Sequence, residues 1–178
     1  NPYGVEATLT PLSSGTPCWF KQSQGRKFVD SSIVKDPRND LGKWKVFAAR
    51  APIAGQTDFN KPIAFFTDGN LFIGKPGECC TRTYTVLNSF NTETEAQNFL
   101  TYVKTRFFRF MLLLRVVSQD INSDRYAFVP DLGDYSKPVT DADLYKRFGL
   151  TQEEIAYIES KIKALPNGDE KKGDSAAA

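Results

Sequence analysis

The stretch Thr140-Asp-Ala-Asp-Leu-Tyr-Lys-Arg-Phe-Gly-Leu-Thr-Gln-Glu-Glu-Ile-Ala-Tyr-Ile-Glu159 predicts two short helices, each with its own start signal. Thr140 with Asp143, and Thr151 with Glu154, have the spacing of a capping box. In that motif the threonine hydroxyl accepts a hydrogen bond from a backbone N–H of the first turn, and the acidic side chain accepts one from the threonine N–H. We therefore expect a helix to begin after each threonine.

The same stretch indicates where the first helix ends and how the chain enters each helix. Gly149 is the residue type that most readily adopts the left-handed conformation at a helix end. Val139 with Leu144, and Leu150 with Ile155, have the spacing of hydrophobic staples across the two helix starts. The expected structure is a C-terminal helical pair.

Two helices joined by a short turn also occur in helix-turn-helix motifs, whose second helix enters the major groove of DNA. Here the second helix carries Glu153, Glu154 and Glu159 against Lys161 and Lys163. Acidic side chains near the start of that helix would meet phosphates and base edges with the wrong sign. The charges therefore favour a packed brace over a DNA-reading helix.

A longer helix is predicted upstream of this pair. Thr92 and Glu95 form a third capping box, and apolar residues then recur at helical spacing as far as residue 114. The apolar stripe comprises Ala96, Phe99, Leu100, Val103, Phe107, Phe110, Met111 and Leu114.

Two arginines, Arg106 and Arg109, lie one turn apart on the face opposite that stripe. They could bind phosphates or a partner domain. Alternatively, they pair with acids such as Asp120 or Asp124 and anchor the following loop. The apolar surroundings of this helix favour the second interpretation.

Short strand-like runs separated by Gly, Pro, Asn and Asp account for most of the remaining sequence. They cover residues 18–21, 27–29, 45–49, 63–66, 71–74, 83–87 and 126–129. We therefore expect an α+β fold, in which a mainly antiparallel sheet is braced by one long helix and the C-terminal helical pair.

Composition limits the chemistry that the chain can perform. Its 178 residues, 40% of them hydrophobic, suffice for one domain, which we assign to residues 1–165, with a disordered tail at 166–178. Histidine is absent and three cysteines are present, which excludes Ser-His and Cys-His nucleophile pairs and four-thiolate zinc sites. The odd cysteine count and the lack of an 18-residue apolar run predict a cytoplasmic location without membrane contact.

Two partial matches to catalytic motifs are rejected. The run from Gly69 to Lys75 has the spacing of a phosphate loop, but Pro76 stands where a Mg²⁺-binding Ser or Thr is required, so a buried strand is expected instead. Glu159-Ser-Lys161 resembles the acid-x-Lys motif of metal-dependent nucleases, but it lies within a periodic helix. A nuclease is therefore the less favoured reading.

The net charge of +2 is unevenly distributed. Residues 1–91 contain 11 Lys and Arg against 7 Asp and Glu, residues 92–126 contain 5 against 4, and residues 127–178 contain 7 against 10. A basic N-terminal half is compatible with binding to nucleic acid and is also found on ordinary surfaces.

A polar loop in that basic half is the best candidate for reading DNA bases. It joins two predicted strands and offers arginine for guanine, glutamine for adenine and lysine for phosphate. The predicted DNA contacts in this loop are Lys21, Gln22, Gln24, Arg26 and Lys27. Further predicted contacts are Lys43, Lys45 and Arg50, which flank Trp44, and Lys75 and Arg82, which flank the turn after strand 71–74.

Several segments resemble the C-terminal region of adenine-specific DNA methyltransferases from bacterial restriction-modification systems, a group often fused to a nuclease. The matching pieces are Cys80-Thr-Arg-Thr-Tyr84, Tyr102-Val-Lys-Thr-Arg-Phe-Phe-Arg-Phe110, Gln119-Asp120, Phe128-Val-Pro130 and the capped-helix stretch. This resemblance implies a target-recognition domain, with a variable half at 1–78 and a family-like half at 79–165.

The resemblance also implies partners and a division of labour. The chain would bind double-stranded DNA and contact the methyltransferase, and any nuclease domain, of its parent protein. It would hold no cofactor, because the S-adenosylmethionine site would lie elsewhere in the parent. The competing hypothesis is a protein-interaction or scaffolding domain of the same enzyme.

Overall fold

A computed structural model describes residues 1–21, 23–53, 58, 60–66, 69–116, 121 and 123–165. It confirms the α+β class, with its strands divided between two three-stranded sheets where one sheet was expected. The predicted tail at 166–178 lies outside the described residues.

The first sheet, which we call the hairpin sheet, has the order β2-β1-β5. Strands β1 (Thr16–Trp19) and β2 (Arg26–Val29) form an antiparallel hairpin. Strand β5 (Cys79–Cys80) pairs with β1 in parallel, so that Cys18 lies beside Cys79 and Trp19 beside Cys80.

The second sheet, the central sheet, has the order β4-β3-β6 and is antiparallel throughout. Its strands are β3 (Trp44–Ala49), β4 (Leu71–Gly74) and β6 (Tyr84–Phe90). Its two faces contribute to two different cores, because successive side chains of a strand point to opposite sides. One face packs on the helices and the other packs on the hairpin sheet.

The single helix predicted from residue 92 to 114 is wrong, because the chain breaks at Thr105. Helix α1 spans Glu93–Lys104 and helix α2 spans Arg106–Leu113. Thr105 has an extended ψ of 151°, and its hydroxyl accepts a hydrogen bond from the Phe108 N–H (3.1 Å). The carboxylate of Asp141 accepts the N–H groups of Arg106 (3.0 Å) and Phe107 (2.8 Å), which completes the start of α2.

The C-terminal helical pair is confirmed. Helix α3 spans Asp141–Arg147 and helix α4 spans Gln152–Lys161. Both capping boxes have the predicted reciprocal hydrogen bonds, and Gly149 between the helices has a φ of +65°. The four staple residues all belong to the apolar cluster between the helices and the central sheet.

Two predicted strands are absent from the described structure. Residues 126–129 fall mostly within a 3-10 helix, Ser123–Phe128. Residues 63–66 form one isolated bridge, in which the Ile63 N–H donates to Lys161 O (2.8 Å) and the Lys163 N–H donates to Ile63 O (3.0 Å). The end of α4 is thereby joined to the middle of the chain.

Replacing Gly149 with alanine should destabilise the protein by about 1–2 kcal/mol, the cost of left-handed backbone for a residue with a Cβ. No atom lies within 4 Å of the added Cβ, so the expected cost is conformational only. Gly42→Ala is the matched control, because Gly42 also faces open space but does not have a positive φ. Equal unfolding free energies for the two variants in urea titrations would contradict the left-handed helix end.

Candidate nucleic-acid interface

The predicted DNA-reading loop forms the tip of the β1–β2 hairpin. The Phe20 N–H donates to Gly25 O (3.1 Å), and the Gln24 N–H donates to Lys21 O (2.8 Å), which closes the tip into a tight turn. Lys21, Arg26 and Lys27 are exposed, whereas Gln24 is half-buried. Gln22 lies outside the described residues.

A buried acid that the sequence analysis missed, Glu78, anchors this hairpin. Its carboxylate accepts hydrogen bonds from Trp19 Nε1 (2.9 Å), Arg26 Nε (2.7 Å) and the Lys75 N–H (3.0 Å). Burial alone would raise the pKa of Glu78, but these donors outweigh it and lower the pKa below its ordinary value. Glu78 therefore remains an anion that fixes Arg26 against the hairpin sheet.

Lys45 does not contribute to the outer surface, contrary to the sequence-based prediction. Its side chain is fully buried, and its ammonium donates to the carbonyl oxygens of Lys43 (2.7 Å), Leu41 (2.9 Å), Lys75 (3.1 Å) and Asp40 (3.4 Å). Burial lowers the pKa of Lys45. The burial of Lys45 could be inferred from the strand pattern, because Lys45, Phe47 and Ala49 are spaced two residues apart and therefore lie on the same face of β3.

The ammonium of Lys45 also brings together Lys43 and Lys75, two of the other predicted DNA contacts. Because the carbonyl oxygens of Lys43 and Lys75 bind the same nitrogen atom, their backbones lie side by side. Lys75 is exposed and Lys43 is half-buried. With Arg26, which shares Glu78 with Lys75, they form one basic group, the Glu78 group.

Arg50 and Arg82 form a second basic group at the other end of β3. The Arg50 N–H donates to Thr83 O (3.1 Å), and both arginines line an open cavity of about 450 Å³. The exposed Arg82 forms an ion pair with Glu6 (3.4 Å). This group is about 17 Å from Lys45, given a rise of about 3.4 Å per strand residue.

The arginines of α2 are structural, not part of a phosphate-binding face. Arg109 is only 1% exposed and donates to Thr105 O (3.1 Å) and Lys163 O (2.7 Å), and its burial lowers its pKa to about 10. Arg106 pairs with Glu159 (3.1 Å). The expected partner Asp124 pairs with Arg125 instead (3.6 Å), and Asp120 lies outside the described residues.

The pair formed by Arg106 also bears on the nuclease reading. Glu159 lies in α4, as the periodicity predicts, and its carboxylate forms an ion pair with Arg106 of α2. A metal-dependent nuclease would need that carboxylate beside a second acid on adjoining strands. The Glu159-Ser-Lys161 tripeptide does not have this setting.

No family model matches the chain, and no curated protein and no solved structure gives a significant match to it. The resemblance to methyltransferase C-terminal regions therefore stays a prediction. In the part of the chain that the structure describes, no helix combines the length and hydropathy needed to cross a membrane.

Replacing Lys45 with methionine should lower the unfolding free energy by about 2–3 kcal/mol, because it leaves buried carbonyl groups without their charged donor. Lys43→Met is the control, since Lys43 is half-buried and its substitution should cost less than about 0.5 kcal/mol. Hydrogen exchange should also accelerate at the Gly77 amide, whose bond to Leu41 O joins the two loops that Lys45 holds, and at the Glu78 amide, whose bond to Lys75 O closes the turn within one of them. Unchanged exchange at these amides would show that Lys45 does not hold the two loops.

Proposed function

We propose that this chain is the sequence-specific DNA-recognition domain of a restriction-modification adenine methyltransferase, and that it is not catalytic by itself. The observation that carries this proposal is the hairpin tip with Arg26 anchored on the buried carboxylate of Glu78. Such a domain would act in the cytoplasm and receive its chemistry from an S-adenosylmethionine-binding domain of the parent protein.

The anchoring of Arg26 suits base recognition. Its bond to Glu78 uses Nε, the innermost guanidinium nitrogen, so the two terminal nitrogens are not part of that contact. The guanidinium also lies 5.7 Å from the Phe28 ring centroid. An arginine held in one orientation loses less side-chain entropy on binding, and arginine is the residue that most often reads guanine.

The surrounding cations suit contacts with the DNA backbone. Arg50 lies about 17 Å along β3 from Lys45, whose ammonium binds the Lys43 and Lys75 carbonyls, and the major groove of DNA is about 12 Å wide, so the two basic groups would contact phosphates more than one groove width apart. The parallel β1–β5 pair places the hairpin tip and Arg82 at the same end of the hairpin sheet, where the Thr81 N–H donates to Trp19 O (2.9 Å).

The test is a DNA titration of the intact parent protein and of this chain at two salt concentrations. A cognate duplex is first selected from a random pool and compared with its scrambled version. Lys27→Gln should weaken binding to both duplexes and lower the salt slope by about one unit. Arg26→Ala should cost about 1–3 kcal/mol on the cognate duplex only.

Lys137→Gln is the matched control, because it removes one exposed positive charge from the acidic C-terminal part of the chain. It should leave both affinities and the salt slope unchanged. If the Lys27 and Arg26 variants behave like this control, the hairpin is not the binding surface. If the intact parent protein binds no duplex, the recognition function itself is wrong.

A separate observation favours the second candidate function, a protein-interaction domain. A groove of about 340 Å³ lies between α2 and α4 and is lined by Phe107, Phe110, Met111, Leu150, Tyr157 and Ile158. Tyr157 is 56% exposed, and Glu153 and Glu154 also line the groove. Aromatic residues and methionine are enriched in interfaces, and the acidic side chains suit an apolar segment with lysine or arginine at its margin.

Under this reading, the groove binds a basic, apolar segment of the methyltransferase part of the same enzyme. With the parent produced as two separate pieces, Tyr157→Ala should weaken their association by about 2 kcal/mol in calorimetry. Leu114→Ala is the control, because Leu114 is 55% exposed but does not line the groove. Equal effects of the two substitutions would rule out the groove as the docking site.

A further inference from the structure

An exposed leucine, Leu12, extends the hairpin sheet beyond the outer edge of β2. It forms an isolated antiparallel bridge with Phe28, in which the Leu12 N–H donates to Phe28 O (2.9 Å). Its side chain is 49% exposed. A single exposed leucine is ordinary on a protein surface, so the groups beside it decide what it can bind.

The side chains beside Leu12 are Phe28 and Arg26. Opposite residues of an antiparallel pair lie on the same face with their Cβ atoms about 5 Å apart, so Leu12 lies next to the half-buried Phe28. Arg26 is two residues from Phe28 on the same face, and its guanidinium lies 5.7 Å from the Phe28 ring centroid. Val29, which alternates with Phe28, is buried in the core. Leu12, Phe28 and Arg26 therefore form one face that is turned away from the core, the outer face.

The charges around the outer face suit a polyanion. The hairpin, residues 16–30, carries three cations against one acid, Asp30. The Asp30 carboxylate accepts the Ser32 N–H (2.9 Å) and caps the 3-10 helix that follows. Glu78, the acid that binds Arg26, is buried. An apolar pair bordered by cations matches a duplex that presents an apolar group, and in the major groove that group is the thymine methyl.

The spacing along β2 matches the spacing of base pairs. Phe28 and Arg26 are separated by about 7 Å, given a rise of about 3.4 Å per strand residue. Successive nucleotides of one DNA strand are also about 3.4 Å apart along the axis, so this separation corresponds to about two base pairs. The major groove admits a two-stranded ribbon such as the β1–β2 hairpin.

We propose that Leu12, with Phe28 beside it, forms an apolar contact that reads the 5-methyl group of a thymine within two base pairs of the base contacted by Arg26. This inference rests on the proposed DNA-recognition function. It adds a second, apolar element of specificity to the hydrogen bonds of Arg26.

The test removes one methyl group at a time from the DNA. Each thymine of the cognate duplex is replaced singly by deoxyuridine, and the affinity of the intact parent protein is measured. One position, within two base pairs of the site where Arg26→Ala has its effect, should lose about fourfold in affinity, which corresponds to about 0.8 kcal/mol for one buried methyl group. Equal affinities for thymine and deoxyuridine at every position would overturn the proposal.

Leu12→Ala links that methyl group to its reader. The variant should reduce the fourfold preference for thymine to less than twofold. Leu9→Ala is the matched control, because Leu9 is 38% exposed in the same segment but is not paired with the hairpin sheet among the described residues, and it should keep the full preference. A Leu12→Ala variant that keeps the preference, or a Leu9→Ala variant that loses it, would contradict the assignment.

The fold of the variant is checked by thermal unfolding. Leu12 bonds to Phe28 through its backbone N–H, so Leu12→Ala should retain the bridge and the parental melting temperature. The deoxyuridine series needs no protein variant and decides the question even if Leu12→Ala unfolds.

The outcomes separate this inference from the function on which it rests. If the intact parent protein binds no duplex, both fail together. If it binds a cognate duplex in an Arg26-dependent manner but is indifferent to every thymine methyl group, or if that duplex has no thymine within two base pairs of the Arg26 contact, only the present inference fails.

Discussion

Burial of strand β3 on both faces is the constraint on which the other elements depend. Val46 and Ala48 contribute to the core beneath the helices, whereas Phe47 and Ala49 contribute to the core beneath the hairpin sheet. The same constraint requires a glycine on the neighbouring strand, because the Phe47 ring occupies the space where a side chain at Gly74 would lie. Lys45 is the exception in this strand, and it is accommodated because carbonyl groups surround its ammonium.

Features specified by residues close in sequence could be predicted. All three capping boxes follow from pairs of residues three positions apart, and the left-handed helix end follows from the glycine at position 149. The break at Thr105 could not be predicted in the same way, because the Asp141 carboxylate that completes the start of α2 comes from a distant helix. The strand expected at 126–129 failed for a related reason, since an apolar run does not determine its backbone conformation without its tertiary neighbours.

The candidate interface shows the same limit. Side-chain chemistry identified the hairpin tip, and the structure places Lys21, Arg26 and Lys27 on its exposed surface. Side-chain chemistry alone does not point to Glu78, because the three donors to its carboxylate come from three separate segments of the chain. A continuous helix from residue 92 to 114 would place Arg109 opposite the apolar stripe, but the break at Thr105 changes which face α2 presents.

The contacts at the end of α4 determine the order in which the parts of this protein can fold during synthesis on the ribosome. Among the described residues, Arg109 donates to Thr105 O and Lys163 O, and Ile63 forms its two backbone hydrogen bonds with Lys161 and Lys163. A nascent chain that has emerged only as far as α2 cannot bury this guanidinium without leaving it underbonded. The helical half should therefore remain open to water until residue 163 leaves the exit tunnel, whereas the hairpin sheet, whose strands end at Cys80, has all of its hydrogen-bonding partners much earlier.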